Sequence, residues 1–193
     1  MRKGLLVIIS SPSGGGKDSV IRALLKHFPN SARLVTTASR PPRPGNREGV
    51  DYYFISKKEF EEKISRGDFV EHNLYADNYY GTQKRHLDEN LQKYDLVLTQ
   101  IEVNGKHNFD KAGIPHLSIF LLPENLEVLR QRILNRGGIT PKVMEERLRI
   151  AKKEIEDSKD YNFQIVNFEG KLPETTDKIA KIIKDHLTER GGS

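Results

Sequence analysis

The chain has 193 residues, of which 36% are hydrophobic and 31% charged, and its formal net charge is +5. Its longest apolar runs, residues 5–9 and 119–122, are too short to cross a membrane, and the lack of cysteine excludes disulfide bonds and thiolate metal sites. We therefore expect one cytoplasmic domain, with or without an inserted lobe, and a partner that is either a nucleic acid or a polyphosphate ligand.

The first predicted element is a strand over residues 5–9, where five branched aliphatic side chains follow one another. Apolar residues then recur at three- and four-residue intervals from Val20 to Phe28. This spacing predicts a helix from Lys17 to about His27, packed against the strand.

Between this strand and this helix, residues 11–18 read S-P-S-G-G-G-K-D, close to the phosphate-loop pattern G-x-x-x-x-G-K-[ST]. Consecutive glycines let backbone N–H groups curl around an anion, and Lys17 can reach terminal phosphates. Ser11 replaces the first glycine of the pattern, and Asp18 replaces the Mg²⁺-binding hydroxyl, which Ser19 can supply one position later. A glycine-rich turn that binds nothing is the alternative, but the flanking strand and helix favour a phosphate loop.

A second strand is predicted over Ala32–Thr37, followed by a stiff, proline-rich loop that ends at Gly45 and contains Arg40 and Arg43. Two arginines three residues apart in such a loop suit a phosphate group, because the guanidinium fork binds phosphate in a bidentate manner. Two merely solvated arginines are the alternative for this loop taken alone.

The next segment combines a helix, a strand and paired tyrosines. A capping box at Ser56–Glu59 predicts a helix that ends near Gly67. Phe69–Tyr75 predicts a strand that carries Glu71 on one face. Tyrosine pairs at 52–53 and 79–80 flank these elements, either as binding groups or as ordinary half-buried aromatics.

The rest of the chain alternates between helices and strands. The predicted elements are a helix over Thr82–Tyr94, a strand over Tyr94–Ile101, a strand over His116–Leu122, a helix over Glu124–Leu134 that Pro123 starts, a helix capped by Thr140 and begun by Pro141, a strand over Tyr161–Asn167 and a closing helix over Leu172–Leu187. The helix after Pro141 carries Met144, Leu148, Ala151 and Ile155 as its apolar face, with Arg147 beside it. For its arginines, the alternative to a lid is a solvated basic helix that also carries Glu145, Glu146, Glu154 and Glu156. The six histidines have no metal-ligand spacing, so no structural metal is expected.

Six motifs, in order, resemble the guanylate kinase family from about residue 4 to about residue 188. They are the phosphate loop at 11–19, S-R-P-P-R-P-G at 39–45, G-V-D-Y-Y-F at 49–54, F-V-E at 69–71, N-Y-Y-G-T at 78–82 and R-I-L-N-R-G at 132–137. The resemblance implies an α/β P-loop kinase with a three-layer fold around a parallel core sheet. It implies a single domain over residues 1–193, with the core at 1–35, 83–131 and 157–193, a GMP-binding lobe at 36–82 and a mobile lid at 132–156.

The activity that the resemblance implies is phosphorylation of GMP, and of dGMP, by ATP with Mg²⁺ as cofactor. The implied ATP-binding residues are Ser13, Gly14, Gly15, Gly16, Lys17, Asp18, Ser19, Arg132, Arg136 and Asn167, with Ser19 and Asp18 near the metal. The implied GMP-binding residues are Thr36, Arg40, Arg43, Tyr52, Glu71, Tyr80, Thr82 and Glu102. Lys17, Arg43, Arg132 and Arg147 are the predicted catalytic residues. Gly137 and Gly138 are the predicted lid hinge.

One departure from the family concerns Gln100, which occupies a position where these kinases usually carry an acid. We hypothesise that Asp18 supplies the negative charge that Gln100 lacks. ATP and GMP are the expected partners, without nucleic acid, membrane or an obligate protein partner. Two alternatives remain: a phosphopeptide-binding module of the same fold without catalysis, and a nucleic-acid binder suggested by the positive charge alone.

Overall fold

The computed structural model describes residues 4–75, 77–135 and 140–191. Within these ranges the strands are β1 (Leu5–Ser10), β2 (Ser31–Arg33), β3 (Thr37–Ala38), β4 (Tyr53–Phe54), β5 (Phe69–Tyr75), β6 (Asn78–Gln83), β7 (Leu96–Gln100), β8 (Leu117–Pro123) and β9 (Phe163–Asn167). The helices are α1 (Lys17–His27), α2 (Lys57–Ser65), α3 (Lys84–Lys93), α4 (Val103–Lys111), α5 (Leu126–Leu134), α6 (Pro141–Asp157) and α7 (Leu172–Gly191). The predicted lid residues Arg136, Gly137 and Gly138 lie outside the described residues.

A five-stranded sheet has the strand order β2-β7-β1-β8-β9. The pairs β2–β7, β1–β8 and β8–β9 are all parallel. Every residue of β1 is buried, as expected of a strand covered on both faces. The predicted α/β fold with a parallel core sheet is therefore confirmed.

The chain divides into two compact units. The first consists of Met1–Leu6, Asn30–Thr99 and Asn104–His116, and the second of Val7–Pro29, Gln100–Val103 and Leu117–Ser193. Residues 36–82, the predicted GMP-binding lobe, all belong to the first unit, and residues 132–156, the predicted lid, all belong to the second. The boundaries of lobe and lid stay predictions.

The first unit contains a four-stranded sheet in the order β4-β3-β6-β5. Strands β5 and β6 form an antiparallel pair in which Glu71 lies opposite Thr82. The rings of Phe60 on α2 and Phe69 on β5 stack with centroids 4.2 Å apart. Phe60 also stacks on the ring of Tyr79 on β6 at 5.2 Å, so aromatic contacts hold α2 against the sheet.

In the second unit, α5 and α6 pack through a cluster of Leu129, Ile133, Met144 and Ala151, with Leu148 partly buried against it. The predicted apolar face of α6 is confirmed, as are its N-cap, Thr140, and its first residue, Pro141. None of the helices in the described ranges is long and apolar enough to span a bilayer.

Several predicted boundaries are confirmed, and others are wrong. Helix α1 and strand β5 have the expected bounds, and the Ser56 side chain caps α2 by accepting from the Glu59 N–H at 3.1 Å. The single strand predicted over Ala32–Thr37 is instead two short strands in different sheets. The chain leaves the parallel sheet after Arg33, and Thr37 then pairs with Gly81 in the smaller sheet.

Two predicted helix starts are also wrong. Pro123 ends β8 opposite Asn167, and α5 begins only at Leu126 because the Asn125 side chain caps it by accepting from the Val128 N–H at 2.9 Å. Thr82 belongs to β6, not to α3, because its cross-strand position opposite Glu71 keeps it extended. Helix α4 and strands β4 and β6 were not expected from the sequence.

Candidate active site

The loop between β1 and α1 depends on glycine at two positions. Gly14 and Gly16 have φ of 87° and 90°, values that side-chain-bearing residues rarely adopt. A Cβ on Gly16 would also lie 2.6 Å from the Nδ2 atom of Asn167. The Gly15 N–H donates to the Pro12 carbonyl at 2.9 Å, so the loop is closed by its own backbone.

Asn167, at the end of β9, stabilises this loop through its side-chain amide. Its Nδ2 donates to the Gly15 carbonyl at 2.9 Å, and its Oδ1 accepts from the Thr175 hydroxyl at 3.1 Å. The side chain is 6% exposed. Asn167 was predicted as an ATP contact, and its amide is engaged with the loop backbone, so its geometry supports a role in shaping the phosphate loop.

The N-terminus of α1 faces the loop with the properties of an anion site. Gly16, the N-cap residue, supplies no side-chain cap, and the positive end of the helix dipole at this terminus favours a phosphate. Lys17 is the first residue of α1 and is half-buried, Asp18 is exposed, and Ser19 is half-buried with its hydroxyl 3.5 Å from an Arg22 guanidinium nitrogen.

Arg132, on α5, lies beside the loop, and its three guanidinium nitrogens differ in their contacts. Its Nε donates to Glu169 at 2.6 Å and its Nη2 donates to the Asn167 carbonyl at 3.1 Å. Its Nη1 is buried and has no hydrogen-bond partner among residues 4–75, 77–135 and 140–191. An unpaired buried donor is costly, and a bound phosphate would satisfy it. Of the other predicted lid arginines, Arg147 is half-buried on α6, and Arg136 lies outside the described residues.

Gln100 ends β7 at the carboxyl edge of the parallel sheet, and its Oε1 is buried with no hydrogen-bond partner in the part of the chain that the structure describes. An oxygen ligand of this kind suits Mg²⁺ or a water molecule bound to it. Among the described residues, no group of three or more His, Asp or Glu side chains is placed to hold a metal ion by itself.

In the first unit, the predicted base-binding residues Glu71 and Thr82 contact each other. The Thr82 hydroxyl donates to the Glu71 Oε1 at 2.7 Å, and Thr82 is fully buried. Glu71 also lines a cavity of about 490 Å³ between α2, β5 and α4. Thr82 therefore orients the Glu71 carboxylate. The structure gives no such contact for Thr36, which is half-buried after β2.

The predicted phosphate-binding residues of the first unit form an aromatic cluster. The Arg40 guanidinium lies over the rings of Tyr52 and Phe54, 5.1 and 5.3 Å from their centroids. The rings of Tyr52 and Tyr80 meet edge to face at 5.9 Å. Phe54 was not expected to take part, although its motif was recognised. Arg43 is exposed, and its backbone N–H donates to the Asn46 side chain.

Glu102, a predicted base-binding residue, belongs to the second unit and has a neighbour that the sequence did not reveal. Burial and the Glu102 carboxylate raise the pKa of Glu154 on α6 to about 7, while Lys17 acts in the opposite direction. Glu154 is half-buried, so it differs from the exposed carboxylates of the same helix. In contrast, Glu146 makes an exposed ion pair with Arg149 at 2.6 Å, as expected of the outer face of α6.

Comparison with known proteins identifies what this chain is similar to. Residues 3–186 match the guanylate kinase family. A guanylate kinase of Rickettsia bellii is 41% identical over 165 residues, which cover 86% of each chain. One of Latilactobacillus sakei is 38% identical over 187 residues, which cover 96% of this chain and 91% of the relative. The crystal structure of guanylate kinase from Anaplasma phagocytophilum, 31% identical, superposes with a TM-score of 0.74 and covers 97% of this chain and 88% of that one.

Proposed function

The chain belongs to the guanylate kinase family, and on that basis we propose that it transfers the γ-phosphoryl group of ATP to GMP. The observation that carries the catalytic proposal is the closed phosphate loop, in which Gly14 and Gly16 adopt left-handed conformations and Asn167 holds the Gly15 carbonyl. A module that only bound phosphopeptides would have no use for this loop.

Base selection is assigned to Glu71. Guanine presents adjacent N1–H and N2–H₂ donors, and a carboxylate can accept both, whereas adenine presents the opposite pattern. The contact between Thr82 and Glu71 supports this role because it fixes the carboxylate in one orientation. Thr36 and Glu102 complete the proposed guanine set.

The monophosphate of GMP is assigned to Arg40, Arg43, Tyr52 and Tyr80. The position of Arg40 over the Tyr52 ring supports this proposal, since the aromatic face stabilises a guanidinium whose Nη1 donates to the Pro41 carbonyl. The tyrosine hydroxyls add neutral donors for the phosphate oxygens. Arg43, which is exposed, is also assigned to the transferring group.

On the ATP side, the backbone of residues 13–19 is assigned to the phosphates and Lys17 to the β- and γ-phosphoryl oxygens. Arg132 and Arg147, with Arg136, are assigned to the charge that spreads over the γ-phosphoryl oxygens during transfer. A GMP phosphate is already anionic, so the reaction needs no general base. Positioning and charge neutralisation then supply the catalysis.

Magnesium fits the residues present, because the buried Gln100 Oε1 has no hydrogen-bond partner among the described residues and the Ser19 hydroxyl is near the start of α1. When bound, Mg²⁺ would neutralise phosphate charge. We propose Ser19 and Asp18 as the side chains nearest to it, with Asp18 supplying the charge that Gln100 lacks. Turnover of the Asp18→Ser variant should then require a different Mg²⁺ concentration. An unchanged Mg²⁺ dependence would contradict the link between the two residues.

The experiment that tests the proposed function is a coupled assay of ADP release in the presence of GMP, AMP or no acceptor. We expect release that depends on GMP, with dGMP also accepted and AMP poorly used. Binding of phosphopeptide without ADP release would favour the non-catalytic module. Binding of nucleic acid, with neither phosphopeptide binding nor ADP release, would favour a nucleic-acid binder. The cytoplasm remains the expected compartment, on the cysteine-free composition alone.

A further inference from the structure

Two buried hydroxyl groups connect the end of β1 to the segment that follows β7, its neighbour in the parallel sheet. Ser10, the last residue of β1, donates its hydroxyl hydrogen to the Ile101 carbonyl at 2.6 Å. The Tyr161 hydroxyl in turn donates to the Ser10 Oγ at 2.7 Å. Ser10 is fully buried and Tyr161 is 7% exposed, so bulk water does not compete for these hydrogen bonds.

This chain of hydrogen bonds ends next to Glu102, whose two neighbours in the sequence are both held in place. The residue before it, Ile101, is held by the Ser10 hydroxyl. The residue after it, Val103, begins α4 and belongs to the same buried cluster as the Tyr161 ring. Both neighbours are buried, whereas Glu102 itself is exposed. The backbone around Glu102 is therefore fixed, and its carboxylate remains accessible to a ligand.

We propose that Ser10 and Tyr161 are positioning residues for guanine recognition, which hold Glu102 at a fixed place relative to the start of the phosphate loop. The inference rests on the proposed function, because that function assigns Glu102 to guanine. Ser10 directly precedes the loop, so the strand that carries the loop also anchors the segment that carries Glu102. Such precision matters, because a misplacement of about 1 Å can cost about a hundredfold in rate.

The phosphate loop does not need the Ser10 hydroxyl for its own shape. The loop is closed by the hydrogen bond between the Gly15 N–H and the Pro12 carbonyl, and the Asn167 side chain holds the Gly15 carbonyl. Loss of the Ser10 hydroxyl instead leaves the buried Ile101 carbonyl without this donor, which is costly, so the segment after β7 shifts. The effect should therefore fall on the use of GMP and not on the use of ATP.

The test is a double-mutant cycle on the full chain, measured as kcat/KM for GMP at saturating MgATP. Ser10→Ala should lower kcat/KM for GMP by about threefold to tenfold, mainly through KM, and change the KM for ATP by less than about twofold. In a Glu102→Ala background, Ser10→Ala should have almost no further effect on kcat/KM for GMP. A contact that acts through Glu102 has nothing left to position once that carboxylate is removed.

Two further variants separate positioning from a general loss of stability. Ser118→Ala is the matched control, because Ser118 is a buried serine on β8 of the same sheet and its hydroxyl donates to the Asn162 side chain at 2.8 Å. It should lower stability to denaturant about as much as Ser10→Ala and leave kcat/KM for GMP unchanged. Tyr161→Phe keeps the ring, and Ser10 can still donate to Ile101, so this variant should show a smaller loss that also disappears in the Glu102→Ala background.

Several outcomes would overturn the inference and leave the proposed function standing. They are an equal loss from Ser10→Ala with and without Glu102, a parallel rise in the KM for ATP, an equal loss from Ser118→Ala, and wild-type use of GMP by Glu102→Ala. Unchanged use of GMP by both Ser10→Ala and Tyr161→Phe would overturn it as well.

A wild-type chain that does not phosphorylate GMP would overturn the proposed function and this inference with it. If Ser10→Ala does not fold, the cycle of Tyr161→Phe with Glu102→Ala decides the same question, because Tyr161→Phe removes only one hydroxyl group. Equal losses from Tyr161→Phe in the two backgrounds would then contradict the positioning role.

Discussion

The phosphate loop of the second unit and the base pocket of the first unit are built on different principles. In the loop, the proposed binding groups are backbone N–H groups, and the buried Asn167 side chain bonds to the loop backbone. In the pocket, the proposed binding groups are side chains that contact one another: the Thr82 hydroxyl donates to Glu71, and the Arg40 guanidinium lies over aromatic rings. The loop depends on a backbone conformation that many substitutions would distort. The pocket depends on contacts between pairs of side chains.

This difference governs how each region should respond to mutation. A backbone site tolerates the loss of most side chains except those that fix its shape or carry its one essential charge. A site built from side chains should lose specificity for the part of the ligand whose contact is removed, because each side chain is directed at one part of the ligand. The following predictions test that contrast.

The largest effect is expected for Lys17→Ala. Lys17 is the positive charge that we assign to the β- and γ-phosphates, so its loss should lower kcat by about a hundredfold to a thousandfold or more. GMP binding should remain nearly unchanged in calorimetry, since the proposed GMP-binding residues of the first unit are untouched. Lys26→Ala, an exposed position on the same helix, is the control. Loss of GMP binding together with turnover would contradict the separation of the two regions.

The next effect concerns base choice. Glu71→Gln presents a donor where guanine also donates, and losing this charge-assisted contact costs about 1.5–3 kcal/mol, or roughly tenfold to a hundredfold in kcat/KM for GMP. The KM for ATP should change little. Glu62→Gln, an exposed carboxylate on α2, should be without effect. Equal losses for both substrates would argue against the pocket assignment.

A smaller effect is expected from the side chain behind the loop. Asn167→Ala leaves the Gly15 carbonyl and the Thr175 hydroxyl without their partner, at a cost of about 1–3 kcal/mol in the free energy of unfolding. Because the loop loses its fixed shape, the KM for ATP should rise as well. Thr175→Val removes only the contact remote from the loop, so it should lower stability with little change in the KM for ATP. If both variants changed the KM equally, Asn167 would not act through the loop.

The smallest effect is a pH dependence of stability that originates in Glu154. The folded-state pKa of Glu154 is raised from 4.5 to about 7, so the native protein binds more protons than the unfolded chain in this interval, and stability falls as pH rises through it. Because the group is partly exposed, we expect Glu154→Gln to be more stable than the wild type by only ~1 kcal/mol at about pH 8 and equally stable at about pH 4. Denaturant unfolding at the two pH values measures this, with Glu156→Gln as control. A constant difference would show that Glu154 does not titrate in this interval.

The sequence predicts the loop better than the pocket, because the loop depends on residues that are adjacent in the chain and the pocket depends on contacts between distant residues. The backbone of residues 5–27 is restricted by local features: a buried aliphatic strand, three glycines, and a helix that begins with a lysine. The strand, loop and helix could therefore be predicted from this segment alone. Helix caps such as Ser56 and Thr140 are equally local, and both were found. Such signals need no knowledge of what lies elsewhere in the chain.

The parts that could not be predicted depend on contacts between distant residues. Residues 31–38 look like one strand, and their division between two sheets depends on pairing with β6 and β7. The Thr82–Glu71 bond and the position of Phe54 appear only once the smaller sheet has formed. Nothing in the sequence distinguishes Glu154 from the exposed Glu146 on the same helix. Only the packing of Ile155 against Val103 places Glu154 near Glu102.

The most direct test of the central claim is the fate of the phosphoryl group. The wild-type chain should be incubated with GMP, Mg²⁺ and ATP labelled at the γ-phosphorus, and the products separated. We predict that the label appears in GDP in an amount equal to the ADP formed, and that AMP in place of GMP gives little labelled product. Label found only in inorganic phosphate, or ADP formed at the same rate without GMP, would contradict the account.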